Sequence, residues 1–380
     1  MPFVPTSAEL QHPLAQEYQN NAGDLATAGL QEDANRRGRS GSKWSIEEVN
    51  AVRAVPLVRL DPTRIIPESY FPGDDNEVFY ALFRHVRAAT VDDLKEFDPD
   101  KFTHNPYQGF FNYLAELSTT NTSEESVIRA HQRNISVSSV TTELSTSSNE
   151  DSHETVSKAA LRDFVNFTLM RMGTFRKLPV PAREGRKKPH LSSYADPVRF
   201  KFRLGGVSHD VVNDGHLAVN FPGSVSGSDR KSRLSVINVE CKPRHAGGLK
   251  RRSGEPEPFS PIVFAQEVAE MIGAVFAQNH MRLPVRHDTQ ESFVLSMHGS
   301  NFYVSTAHFS AEYIEYLETG SYPGVTGANF LWVRRSVHFD LKKVDDRGEA
   351  LRFLWALITY VVSGMAKVNI VSSAIQEASV

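Results

Sequence analysis

The ten residues Arg233 to Lys242 read RLSVINVECK and decide how the middle of the chain folds. The segment is too apolar on both faces for an edge strand, so it predicts a strand at the centre of a sheet. Successive side chains of a strand point to opposite faces, so Glu240 and Lys242 are expected to share one face. The strand therefore carries an acid and a base together at its carboxyl end.

The segments on either side alternate between helical and strand-like patterns. In chain order the sequence predicts a helix carrying Leu161 to Met172, strands at Arg199 to Leu204 and Asp210 to Val219, the central strand, a helix over Pro261 to His280, a hairpin of Phe293 to Met297 and Phe302 to Ser305, and helices around residues 311–317 and 348–362. This order predicts an α/β fold, a central mixed sheet flanked by helices, with extra helices towards both ends of the chain.

The first 152 residues are expected to be less regular. Residues 1–43 are polar and lack apolar periodicity, so they predict a disordered tail. Residues 44–117 show helical spacing in places and predict a helical N-terminal region. Residues 118–152 are rich in Ser and Thr, as in a linker or long exposed loop. The main domain is then expected over residues 153–375.

Composition limits the cellular setting. The chain has 380 residues and a single cysteine, Cys241, which cannot form an internal disulfide. No secretory leader follows Met1, so we expect an intracellular protein, nuclear or cytoplasmic rather than secreted. The most apolar stretch, Phe353 to Val362, is half the length of a membrane span, so no membrane partner is expected. The sequence does not indicate an oligomeric state.

Basic residues are concentrated in one part of the chain, although the net charge is only −3. Residues 171–252 contain 18 Lys and Arg but 6 Asp and Glu. Contacts of such residues with phosphates give affinity with little sequence preference. We therefore expect a polyanionic partner, such as nucleic acid. The candidate nucleic-acid-binding residues are Arg183, Arg186, Lys187, Lys188, Arg244, Lys250, Arg251 and Arg252.

Asn213-Asp214-Gly215 lies in the predicted strand before the central one. Pairing of the two strands can place Asp214 beside Glu240 and Lys242. Two carboxylates suit Mg²⁺, or Mn²⁺ in its place, because Mg²⁺ usually takes one or two carboxylates and keeps several waters. The ion would activate a water, while the Lys242 ammonium holds that water or stabilises the phosphoryl oxygen.

Each part of this pattern also has a structural explanation. Asp214-Gly215 suits a turn, and Glu240 with Lys242 suits an ion pair on a solvated face. An acid followed two residues later by Lys occurs four times in the chain. The context separates this instance, since the following helix carries Gln266 and Glu270 one turn apart.

The arrangement resembles the PD-(D/E)XK nuclease superfamily, with its restriction-endonuclease-like core of helix, three strands, helix and strand. The resemblance covers about residues 153–305, and the C-terminal part further resembles restriction-like domains of fungal proteins. It implies a metal-dependent phosphodiesterase, cutting within or from the ends of nucleic acid. It implies metal binding by Asp214 and Glu240, catalysis by Lys242, and a supporting role for Gln266.

Two departures from that family pattern leave alternatives open. Asn213 stands where the name-giving Pro would be. The acid that many members keep on the first helix has no clear match, with Glu154 and Asp163 as candidates and Glu270 as another accessory acid. Two other hypotheses remain. One is a catalytically inactive module that binds nucleic acid or a protein. The other is a regulatory protein whose N-terminal part covers the basic cleft.

Overall fold

The strand that ends at Lys242 lies inside a mixed sheet, as its apolar sequence predicts. The structure is a computed structural model. It describes residues 3–25, 30, 37–118, 146–181, 188–221, 234–242, 259–321 and 330–379, with the backbone alone over 146–153.

The described helices and strands alternate over most of the chain. The helices are α1 (Ser7–Gln11), α2 (Pro13–Asn20), α3 (Ile46–Ala51), α4 (Glu77–Val86), α5 (Val91–Lys95), α6 (residues 108–118), α7 (Thr146–Met172), α8 (Pro261–His280), α9 (Ala311–Thr319), α10 (Val344–Val362) and α11 (Asn369–Ser379). The strands are β1 (Ala54–Leu60), β2 (His190–Tyr194), β3 (Arg199–Leu204), β4 (Val207–Val212), β5 (Gly215–Asn220), β6 (Ile237–Lys242), β7 (Gln290–His298), β8 (Asn301–Phe309), β9 (Leu331–Ser336) and β10 (Phe339–Asp340).

The main sheet has the strand order β1-β9-β8-β7-β6-β5-β2, and β10 pairs with β8. Strand β6 runs antiparallel to β5 and parallel to β7. A parallel pair requires a crossover connection, and α8 provides it between β6 and β7. Strands β7 and β8 form the predicted hairpin, and β9 and β1 extend the sheet beyond it. The predicted α/β class, with a central mixed sheet flanked by helices, is confirmed.

Helices α7 and α8 cover opposite faces of the sheet. The ring of Phe302 on β8 lies 5.9 Å from that of Phe164 on α7. The next residue, Tyr303, donates a hydrogen bond to Glu267 on α8 at 2.6 Å. Neighbouring residues of a strand point to opposite faces, so the two helices lie on different sides. Helix α8 itself is almost entirely buried, as a helix between two packed layers must be.

The second layer over α8 differs from the prediction. Strand β3, which occupies the predicted Arg199 to Leu204, pairs with β4 in a separate two-stranded sheet that packs on α8. The predicted strand Asp210 to Val219 is broken between β4 and β5. The cause is Asn213, whose side chain accepts from the Val198 amide at 2.8 Å and donates to Asn238 at 3.1 Å. These contacts turn the backbone from one sheet into the other.

The N-terminal part also differs from the prediction. Helices α1 and α2 form within the segment expected to be disordered, because Ala15 and Tyr18 bury their side chains, Tyr18 against Phe264 of α8. The expected helical region 44–117 contributes β1 as an edge strand of the main sheet. Pro56 is tolerated there because an edge strand has no neighbour on one side. Residues 119–145 of the expected linker lie outside the described residues, and α7 begins within its last part.

No helix among the described residues is long and apolar enough to cross a membrane. The apolar stretch Phe353 to Val362 lies instead within α10, whose residues are mostly buried in the core.

Candidate functional site

Alternation along β6 places its polar residues on the α8 side of the sheet. Glu240 is fully buried and accepts a hydrogen bond from Gln266 of α8 at 2.7 Å. The Lys242 ammonium lies 2.5 Å from Glu240 Oε1, so the two side chains share a face as the sequence predicts. Cys241 lies between them in sequence and is buried in the core, also as predicted.

Asp214 lies in the break between β4 and β5 rather than inside a strand. Its amide donates to the carbonyl of Val239 at 3.0 Å, and its Oδ2 accepts from the amide of Cys241 at 2.9 Å. Asp214 is therefore held against the carboxyl end of β6 by two contacts with the β6 backbone, one from its amide and one to its carboxylate. The structure thus brings all three predicted core residues to one end of one strand pair.

Glu270 of α8 lies next to Glu240 of β6. Gln266 Nε2 donates to Glu240 Oε1 at 2.7 Å and to Glu270 Oε1 at 3.2 Å. Both carboxyl groups are fully buried, and within the described part of the chain the remaining oxygen of each, Oε2, accepts no hydrogen bond. Two adjacent buried carboxyls with one ammonium, that of Lys242, beside them require a shared proton or a further cation.

The electrostatics of the site follow from this burial. Burial raises the pKa of Glu240 to about 7, although the Lys242 charge lowers it in part and Asp214 raises it further. Burial and the adjacent Glu240 raise the pKa of Glu270 well above its ordinary value of 4.5. Burial alone would lower the pKa of Lys242, but Glu240 outweighs it and the pKa is raised. Lys242 therefore remains a cation at neutral pH, and the carboxyl pair holds a proton unless a metal replaces it.

The oxygen donors of this site fit the predicted Mg²⁺. Glu240 offers an oxygen that accepts no hydrogen bond from any described residue, and the Asp214 carboxylate can accept further contacts beside the Cys241 amide. No group of three or more His, Cys, Asp or Glu side chains suited to a metal occurs among the described residues. The fit is thus to an ion that takes two carboxylates and keeps its waters.

Lys158 of α7 is a second cation at the site that the sequence reasoning missed. Its ammonium lies 3.5 Å from Asp214 Oδ1. Both residues line a cavity of about 160 Å³ between α7 and β5, whose other lining residues include the apolar Leu161 and Val165. The signal was helical spacing, since Lys158, Leu161 and Val165 recur at i, i+3 and i+7 on one helix face.

The three candidate accessory acids are placed differently. Glu270 lies in the buried pair. Glu154 of α7 is close enough to Lys242 for its charge to raise the pKa of that ammonium. Asp163 is not brought to the site, because its carboxylate lies beside Arg162 and against Gly109 of α6. Burial raises the pKa of Asp163 there.

Most of the predicted nucleic-acid-binding residues cannot be placed. Lys188 lies two residues before the start of β2, and its carbonyl lies 3.4 Å from Nδ1 of His190. The other seven lie outside the described residues, namely Arg183, Arg186, Lys187, Arg244, Lys250, Arg251 and Arg252.

Comparisons with known proteins add no family to this geometry. No protein-family model matches the sequence, and no curated protein matches it.

Proposed function

We propose that the protein is a Mg²⁺-dependent nuclease that hydrolyses phosphodiester bonds of nucleic acid, DNA in particular. The observation that carries the proposal is the convergence of an acid that directly precedes β5, an acid and a lysine from β6, and an amide from α8 on one end of the sheet. The residues of the proposed site are Asp214, Glu240, Lys242 and Gln266.

The order of the elements supports the same proposal. In the main sheet, α7 is followed by β2, β5 and β6, then by α8 and β7. This is the succession of helix, three strands, helix and strand that the PD-(D/E)XK resemblance implies. Glu240 comes from the third of these strands, and Asp214 directly precedes the second, next to the position where the resemblance expects it.

Asp214 and Glu240 would hold the ion. When bound, Mg²⁺ lowers the pKa of a coordinated water and neutralises charge that develops on a phosphoryl oxygen. Lys242 remains protonated through its contact with Glu240, so its role is to donate to a phosphoryl oxygen rather than to remove a proton. Gln266 holds the Glu240 and Glu270 carboxyls in place, and its amide nitrogen is fully used by those two contacts.

A cleavage assay tests the proposal. Plasmid and single-stranded DNA are incubated with Mg²⁺ or Mn²⁺ and the wild type, Asp214→Asn or Lys242→Ala. Each substitution should reduce the rate at least about 100-fold, because each removes a charge aimed at the reacting phosphate. Asp196→Asn and Lys201→Ala are matched controls on exposed positions and should cleave at the wild-type rate.

Two outcomes would count against the proposal. Equal cleavage by all the proteins would refute the site assignment. An inactive wild type that still binds DNA in a salt-sensitive way would favour the catalytically inactive binding module, which the basic segment 171–252 supports equally well.

A further inference from the structure

A second cavity lies where the carboxyl ends of β1 and β9 meet the start of α2. Its volume is about 550 Å³, within the range of small-molecule binding sites. Its polar lining comes from Arg59 of β1, Arg335 of β9, and the imidazoles of His12 and His338. No Asp or Glu belongs to the described lining of this cavity. The remaining lining residues are Leu14, Val58, Phe259 and Val337.

Arg335 is the residue that points to a ligand. It is 2% exposed, and its Nη2 donates to Glu267 of α8 at 2.6 Å. Its Nε and Nη1 have no hydrogen-bond partner among the residues that the structure describes. The guanidinium lies over the rings of Tyr303 and Phe259, which offer no conventional acceptor. Buried guanidinium N–H groups without acceptors are costly, so an anion beside Arg335 would be strongly favoured.

Glu267 does not compensate for those unpaired groups. Its carboxylate already accepts from Ser296 and Tyr303 on Oε1 and from Ser305 and Arg335 on Oε2. Both carboxyl oxygens of Glu267 are thereby paired within the core, while Arg59 adds a second guanidinium and the two imidazoles add polar ring nitrogens to the cavity. The lining has the composition of an anion site.

Two features of the backbone also suit an anion site. The eight-residue α2 begins at the cavity, with His12 as its N-cap and Pro13 as its first residue. A helix N-terminus favours negative charge. Arg59 lies at an irregularity in β1 with φ of +59°, a conformation that residues other than glycine adopt at a cost. The side chain of this exposed arginine is thus placed at the cavity by a backbone with a positive φ angle.

The cavity and the proposed nuclease site lie on the same edge and the same face of the sheet. Strands β6, β7 and β9 run in one direction, so their carboxyl ends meet at one edge. Glu240 and Arg335 both contact α8, which covers one face. Three strand spacings separate β6 from β9, which is about 14 Å. At about 3.4 Å per stacked nucleotide, about four nucleotides of a strand span that distance.

We propose that this cavity binds a phosphate monoester group, carried either by a free nucleotide or by the end of a nucleic-acid strand. The several donors suit the three terminal oxygens of a monoester, and the apolar side chains leave room for the sugar and base attached to it. The strand-end source rests on the proposed nuclease function, whereas phosphate binding itself does not.

Calorimetry on the full chain in EDTA tests the proposal without cleavage of the ligands. The probes are inorganic phosphate, adenosine 5′-monophosphate, adenosine, and hexathymidylate with a 5′-phosphate, a 3′-phosphate or no terminal phosphate. The nucleotide should bind at millimolar concentration or tighter, and adenosine should not. Arg59→Ala should weaken phosphate and nucleotide binding about tenfold, since it removes one charged contact. Arg203→Ala, an exposed arginine on β3, is the matched control.

The three oligonucleotide probes show whether the phosphate is carried by a strand end or by a free nucleotide. A preference for one phosphorylated end that Arg59→Ala abolishes would assign the cavity to a strand end, and equal binding of all three oligonucleotides would assign it to a free nucleotide. Absence of phosphate and nucleotide binding, or binding unchanged by Arg59→Ala, would overturn the proposal. Asp214→Asn should bind both phosphate probes normally, so a failure of the nuclease proposal remains distinguishable from a failure of this one.

Discussion

At the scale of single residues, the candidate site depends on a buried pair of carboxyls rather than on one acid. Gln266 donates to Glu240 and Glu270 from the same amide nitrogen, and neither acid has solvent around it. Burial therefore disfavours the charged form of Glu240 although Lys242 is in contact with it, and a second cation would be needed to favour that form. A site of this kind couples metal binding to the release of a proton.

This coupling predicts how stability depends on pH without metal. Glu240 has a pKa of about 7 in the folded protein and an ordinary value of 4.5, so the folded state holds more protons between these values. Glu240 alone should therefore lower the free energy of unfolding by roughly 3 kcal/mol as pH rises from about 4.5 to about 7, and Glu270, whose pKa is also raised, should add to the fall. Thermal unfolding in EDTA at a series of pH values measures this change.

Glu240→Gln should weaken the dependence, because the amide does not ionise and Glu270 alone remains of the pair, whereas Glu68→Gln at an exposed position should leave it unchanged. Mg²⁺ should restore stability mainly above pH 7, where Glu240 has lost its proton. A wild-type stability that rises over this pH range would show that Glu240 is not held protonated by burial.

At the scale of elements, α8 does three things at once. It connects the parallel strands β6 and β7, supplies Gln266 and Glu270 to the site, and fills the space between the main sheet and the β3–β4 hairpin. Close packing on its outer side depends on Gly273. A Cβ atom added there would lie 2.8 Å from Cβ of Phe200 on β3.

Gly273→Ala should therefore destabilise the protein by about 1–3 kcal/mol through overpacking, reduced by up to about 1 kcal/mol of helix propensity. The atom it meets is next to the backbone and cannot swing away. Chemical denaturation of the purified variant measures the difference.

Gly348→Ala in α10 is the matched control, since its added Cβ would meet the far end of the half-buried Phe83 ring, which can move. This control should cost less than Gly273→Ala or stabilise the chain. Equal effects of the two substitutions would show that the β3–β4 hairpin does not pack tightly on α8.

At the scale of the whole molecule, the N-terminal residues are part of the fold of the main sheet. Strand β1 covers the edge of β9, and α2 packs on β1. The hydroxyl of Tyr316 on α9 accepts from the amide of Leu25 at 3.0 Å and donates to the carbonyl of Ala51 at 2.6 Å. The same region lines the basic cavity. Residues distant in sequence therefore stabilise the sheet that carries the proposed site.

Removal of residues 1–60 should lower Tm by about 10 °C or more, or make the chain insoluble, because it exposes the β9 edge and its apolar side chains. Circular dichroism melting of the truncated and full chains measures the effect. A truncated chain that melts at the same temperature as the full chain would show that β1 is dispensable.

Tyr316→Phe should lower the free energy of unfolding by about 1–3 kcal/mol, since it leaves two buried backbone groups without a partner.

Local patterns predicted the elements best where burial follows a regular period. The helix over Pro261 to His280 has the predicted bounds, and the β7–β8 hairpin lies where alternation placed it. The same reasoning did not find β1, β2 or β9, and it placed β3 in the wrong sheet. Strand β1 carries a proline, and its place at the edge depends on a partner about 280 residues away.

The sequence by itself determined that β6 is a central strand, that Glu240 and Lys242 share a face, and that Cys241 packs in the core. The reason is that side-chain period and apolar content are properties of a segment alone. Only the tertiary structure decided that Glu270 meets Glu240 and that Asp214 lies in a break held to β6. Only the tertiary structure also decided that β1 pairs with β9 beside a basic cavity. Such contacts depend on which buried faces meet, and the local side-chain period does not encode this.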